Sequence, residues 1–152
     1  MYFYNLIKKL SLDKEIVIFV DMDGVVSSYD LEEKINFLKG RPLITNINIL
    51  KKVNDLENVR LYILSVCIKK SDILDKNTWL DKYVPFISKE KRIILDKESN
   101  GNISSKELKL NYLKSIKTNK TIVLIDDDNE VLKYIYNNLK DIILYQDSVL
   151  ID

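Results

Sequence analysis

Histidine is missing from all 152 residues. That absence removes Ser-His-Asp hydrolysis, imidazole acid–base chemistry and His-ligated zinc together. A single cysteine, Cys67, leaves no disulfide framework and no CxxC metal site, which fits a reducing cytoplasm. Alanine is absent as well, and no long apolar run opens the chain. Residues 2–10 (YFYNLIKKL) instead carry Phe3, Leu6, Ile7 and Leu10 on one helical face. A secretory signal needs a longer apolar stretch and a small-residue cleavage site, so the expectation is a short amphipathic helix docked on a cytoplasmic domain. No apolar run approaches the length of a membrane span. Charge of one sign is not in excess either: 24 Lys and Arg face 23 Asp and Glu. This balance gives no support to a general nucleic-acid coat or a membrane-surface binder. The chemistry must run on carboxylates, lysines, hydroxyls and a hard cation.

What is present is enough for one globular domain over residues 1–152. Hydrophobic residues make up 46% of the chain, and a chain of this length buries roughly two-thirds of its unfolded surface. Continuous apolar runs of strand length lie at 16–20 (IVIFV), 61–64 (LYIL), 93–95 (IIL) and 121–125 (TIVLI), with a weaker fifth at 142–145 (IILY). Such runs fit strands covered on both faces. Helical periods separate them. Residues 45–56 place Ile49, Leu50, Val53 and Leu56 on one stripe, and 71–83 carry Ile73, Leu74 and Leu80 behind a candidate N-cap, Ser71. Residues 104–116 repeat Leu108, Tyr112 and Ile116, and 128–139 repeat Val131, Leu132, Ile135 and Leu139 after acidic residues suited to a helix N-terminus. The alternation predicts an α/β domain with a parallel sheet. Residues 97–102 (KESNGN) read as a surface loop.

Two acidic clusters follow buried strands directly. FVDMDGVV sets Asp21 and Asp23 at the end of the first strand, with Gly24 behind them; VLIDDDNEVL sets Asp126, Asp127 and Asp128 at the end of the fourth. In open parallel sheets ligands bind outside the carboxyl ends of the strands, where the strand order reverses. Acidic residues also end strands merely as turn or cap residues, and Asp128 fits that simpler role as the cap of the next helix. The remaining carboxylates would converge at a cost that a cation offsets. Mg²⁺ suits them, since it takes hard oxygen ligands and leaves room for water and a phosphate oxygen. Ser65 follows LYIL at the end of the second strand, where its hydroxyl could reach a phosphoryl oxygen. A lysine is needed to neutralise charge, and the helix starting near Ser104 offers Lys106 or Lys109.

In the order Asp-x-Asp-Gly, strand-end Ser, Lys, Asp-Asp, the chain resembles the haloacid dehalogenase (HAD) superfamily of phosphohydrolases over about residues 16–139. FVDMDGVV resembles the first motif of that family, LYILS the second, a lysine ahead of the fourth strand the third, and LIDDD the fourth. More narrowly, ILSVC followed by KNTWLDKYVPFI, and KLNYL ahead of LIDDD, is similar to bacterial and phage 5'(3')-deoxyribonucleotidase-like proteins. The resemblance implies a three-layer Rossmann-like HAD core, a parallel sheet of order 5-4-1-2-3 and a minimal cap. It implies Asp21 as a nucleophile that becomes phosphorylated and Asp23 as general acid and base. It further implies Mg²⁺ held by Asp21, the Asp23 backbone carbonyl and Asp126, with Asp127 nearby or through water. Ser65 would hold the phosphoryl group, and the third-motif lysine is best matched by Lys109 in KxxYL, with Lys106 the alternate.

The stretch 27–44 (SSYDLEEKINFLKGRPLI) is too short for a full cap domain once the crossover helix is allowed for. It holds Tyr29, Phe37, Lys39 and Arg41, pieces that could stack on a base or neutralise a phosphate, although Phe37 packed beneath the insert and Arg41 in water is an equal reading. Trp79 and Tyr83, four apart on one helix, fit core packing. The expected activity is a Mg²⁺-dependent phosphomonoester hydrolase acting on a phosphorylated small molecule, nucleoside monophosphates first, in a monomer or homodimer. The alternatives are a HAD phosphatase for nucleic-acid ends, sugar phosphates or phosphoprotein, and a non-catalytic HAD-like phosphate-binding or signalling domain. A receiver-type phosphoacceptor is less apt, because it places the acidic pair after its first strand and the lysine after its last.

Overall fold

A computed structural model of the chain describes residues 1–28 and 36–152. The elements are α1 (Tyr2–Leu10), β1 (Ile16–Val20), β2 (Ser27–Ser28), β3 (Arg41–Pro42), α2 (Ile44–Asn54) and β4 (Val59–Cys67), followed by α3 (Asp72–Tyr83), β5 (Arg92–Asp96), α4 (Ser105–Ser115), β6 (Thr121–Asp126), α5 (Asn129–Asn138) and β7 (Ile142–Gln146). The five long strands form one parallel sheet ordered β5-β4-β1-β6-β7. The two-residue strands β2 and β3 stand apart as an antiparallel pair that closes the base of the insert. No helix among the described residues is long and apolar enough to cross a membrane.

Alternation along each strand sorts the side chains into two cores. Ile16, Ile18 and Val20 of β1, Leu61 and Ile63 of β4, and Val123 and Ile125 of β6 face α1, α2 and α3. Phe19 of β1, Leu64 of β4 and Leu124 of β6 face α4 and α5 through Leu110, Leu113, Val131 and Ile135. The N-terminal helix docks as its periodicity predicts. Phe3 and Ile7 are buried, and the Phe3 ring meets Tyr145 edge-on with centroids 5.8 Å apart.

Local chemistry sets the helix ends. Ser104 caps α4 by accepting from the Glu107 N–H at 3.3 Å, and Asp128 caps α5 by accepting from the Glu130 N–H at 2.9 Å. Ser71 departs from the expectation. Its backbone is already helical and its side chain makes no capping bond. Leu74 also departs, lying exposed on α3, because the buried stripe of that helix runs through Lys76, Asn77, Trp79 and Leu80. Trp79 is in the core, as expected, with its ring 4.8 Å from that of Tyr83. Residues 97–102 form an exposed turn in which Gly101 takes the left-handed conformation.

Candidate active site

The register of the central strands assembles the carboxylates. Val20 pairs with Ile125, and the Asp21 N–H donates to the Ile125 carbonyl at 2.9 Å, which continues the β1–β6 ladder one step. Asp21 therefore stands level with Asp126. Parity aims both at the same layer: Asp21 continues the face of Phe19, and Asp126 that of Leu124. That layer contains α4, whose buried face includes Lys109. Its ammonium lies 2.6 Å from Asp126 Oδ2 and 3.1 Å from Asp21 Oδ1. Sequence left Lys106 and Lys109 open, and the structure separates them. The Lys106 ammonium sits 5.3 Å from the centre of the Tyr134 ring on α5, away from the carboxylates.

Beyond Asp21 the chain folds back tightly. The Met22 carbonyl accepts from the N–H groups of Val26 and Ser27, both at 3.0 Å, and the Gly24 N–H donates to the Ser27 carbonyl at 2.7 Å. Gly24 has φ +86°, a conformation that disfavours a side chain. A Cβ there would also overlap the carboxylate of Asp127. The glycine is thus needed twice, for its own backbone and for the room Asp127 occupies.

One carboxylate oxygen from each of Asp21, Asp126 and Asp127 lies within 4.8 Å of the others. Burial, with Asp21 beside it, pushes the Asp126 carboxyl up to about 6 against the pull of Lys109. Burial and the charges of Asp21 and Asp126 push Asp127 up to about 7. Burial also raises Asp23, which Lys76 pulls back down. Lys109 is the converse: burial opposes its charge, yet Asp21 and Asp126 hold its pKa above the ordinary lysine value. Four carboxylates thus face two ammonium groups, leaving two negative charges for a divalent cation to meet. Oxygen donors gathered this closely could hold a hard divalent cation.

The crevice holding these groups has a volume of about 330 Å³ and is walled by five aspartates, these four and Asp128, with Lys109, Val66, Ser105 and Val131. A larger groove of about 760 Å³ runs along the segment after β4, past Lys69, Lys70 and Glu98, and none of these aspartates lines it.

Ser65 does not end its strand as the sequence suggests. The ladder with β5 continues through Cys67, so Ser65 lies within β4, opposite Ile94. It is fully buried, and Val66 forms the crevice wall instead. Parity puts Ser65 on the face of Ile63, toward α3. There its hydroxyl oxygen accepts from Lys76 at 2.7 Å, and the same ammonium donates to Asp23 Oδ2 at 2.6 Å and to the Val66 carbonyl at 3.1 Å. Lys76 is the site residue that sequence reasoning missed. Its signal was a lysine three after Ile73 and four before Leu80, on the stripe of α3 that must face the core.

Of the insert, Phe37 packs its ring 4.5 Å from the Lys76 ammonium, Arg41 and Lys39 are exposed, and Tyr29 lies outside the described residues. Trp79 ties the insert to α3, its indole N–H donating to the Gly40 carbonyl at 2.8 Å. Neither Arg41 nor Lys106 lines the crevice.

No protein-family model matches the sequence, and no curated protein matches it.

Proposed function

We propose that the chain is a Mg²⁺-dependent phosphomonoester hydrolase of the HAD type, working through a phosphorylated Asp21. The observation that carries the reading is the shared ammonium of Lys109, which joins Asp21 and Asp126 across neighbouring strand ends within reach of Asp127. The strand order adds support. With the two-residue β2 and β3 left out of the count, the order β5-β4-β1-β6-β7 is compatible with the expected 5-4-1-2-3, with the Asp21 strand central.

The chemistry follows from the placement. An Asp21 carboxylate oxygen attacks phosphorus, the bond from phosphorus to the leaving oxygen breaks, and Asp23 gives that oxygen its proton. Water then attacks the acyl phosphate, Asp23 takes the proton back, and inorganic phosphate leaves with Asp21 restored. Lys109 neutralises charge gathering on the transferring group, while Ser65, buried behind Val66, accepts from Lys76 and does not line the crevice. Asp21, Asp126, Asp127 and the Asp23 backbone carbonyl would hold Mg²⁺, which supplies electrostatic stabilisation of the phosphoryl oxygens.

The substrate class is a phosphorylated small molecule, with nucleoside monophosphates the first to try. The insert is too short to enclose a base, so sugar phosphates and phosphorylated nucleic-acid ends belong in the same screen. The test is phosphate release from an aryl phosphate with and without Mg²⁺. Turnover that needs the cation and vanishes in Asp21→Asn is expected; none under either condition overturns the reading.

A further inference from the structure

Lys76 is fully buried on α3, and its charge is unexplained by packing alone. Burying an ammonium is costly, and an apolar side chain of similar length would fill the same space without that cost. Its three bonds are unequal in kind. Ser65 Oγ and the Val66 carbonyl belong to the part of β4 that is paired with β5, so they fix the ammonium to the rigid part of the fold. Asp23 lies in the tight turn after β1, and its side chain keeps 24% of its exposure. The ring of Phe37 lies 4.5 Å from the same ammonium.

We propose that Lys76 is a positioning residue that acts through Asp23: anchored by Ser65 and Val66, it holds the Asp23 carboxylate at the crevice, where the leaving oxygen must receive a proton. Without it, repulsion from Asp21 would drive Asp23 toward solvent. A displacement of about 1 Å in such a group can cost about a hundredfold in rate. This inference rests on the phosphatase reading, because it assigns Lys76 a task only if Asp23 moves protons. Phe37 completes the arrangement by covering the ammonium from the insert side.

The test uses the intact chain with Mg²⁺ and two probes, 4-nitrophenyl phosphate, whose leaving group needs little protonation, and an alkyl phosphate, whose leaving group needs it. Lys76→Met should lose roughly a hundredfold on the alkyl phosphate. On the aryl phosphate the burst that reports phosphorylation of Asp21 should fall by less than about tenfold, while the following steady state slows, because water attack still needs Asp23. A loss in the aryl burst as large as the loss on the alkyl phosphate, or no loss on either probe, overturns the inference while an active wild type leaves the phosphatase reading standing. A wild type inactive on both probes overturns both. Should Lys76→Met fail to fold with an unpaired buried carboxylate, Asp23→Asn/Lys76→Met removes that charge and can be compared with Asp23→Asn alone. Near-equal rates support action through Asp23; a further large loss shows that Lys76 acts elsewhere and overturns the proposal.

Discussion

Asp126 accepts a 2.6 Å hydrogen bond from Lys109, both groups buried, at the end of the strand next to the one that bears Asp21. The same ammonium reaches Asp21, so a single lysine from α4 spans the two strand ends. Removing one partner of such a buried pair leaves an uncompensated charge, at a cost of about 3–5 kcal/mol. Lys109→Met should therefore lower the melting temperature and reduce turnover by about a hundredfold, as expected on removing a donor to developing negative charge. Lys106→Ala should stay within about twofold of wild type, since its contact with Tyr134 is a surface one worth about 0.5–1 kcal/mol to stability. Matched steady-state rates and thermal melts decide this. A silent Lys109→Met with a severe Lys106→Ala would reverse the assignment.

Gly24→Ala tests the turn against which the Asp127 carboxylate lies. The left-handed backbone alone costs about 1–2 kcal/mol with a Cβ present. The methyl would also displace the Asp127 carboxylate. Calorimetric titration should show Mg²⁺ affinity reduced by about tenfold or more, roughly 1.4 kcal/mol, in a folded chain. Unchanged affinity would remove Asp127 from the cation site.

The acidity of the cluster has a definite sign. Asp126 and Asp127 are pushed up to about 6 and about 7 without a cation. The folded chain therefore keeps protons that the unfolded chain has already released, and its stability falls as pH rises from the ordinary value of 3.8 toward 7. A cation that binds the deprotonated carboxylates offsets that fall. Added Mg²⁺ should raise the melting temperature more near about pH 8 than near about pH 5, and binding at about pH 6.5 should release protons. An equal rise at both pH values would contradict the assignment of these carboxylates to the cation.

Much of this arrangement is legible in the sequence. Apolar runs located β1, β4, β5, β6 and β7 to within a few residues, because strands buried on both faces leave little room for polar residues. The positions of Asp21 and Asp126 followed from those runs, since each comes directly at or after the end of its strand. Ser65 was harder. β4 carries on through Val66 and Cys67, and an apolar run does not show where pairing with β5 stops. Lys76 was hidden for a different reason. A lysine on a helix reads as solvent-facing, and only the coincidence of the core stripe of α3 with the Ser65 face of the sheet puts it beneath the site. Between Lys106 and Lys109, three apart on α4, helical spacing could not choose; packing of α4 against α5 sends Lys106 to Tyr134.

The most direct test of the central claim is the covalent state of Asp21. The chain, incubated with an aryl phosphate and Mg²⁺ and quenched in acid within the first turnover, would be digested and its peptides weighed by mass spectrometry. The account predicts one phosphoryl group on the peptide that contains Asp21, more of it in Asp23→Asn, where hydrolysis is slowed, and none in Asp21→Asn. Phosphate release by the wild type with no phosphorylated peptide, or a phosphoryl group on any residue other than Asp21, would contradict it.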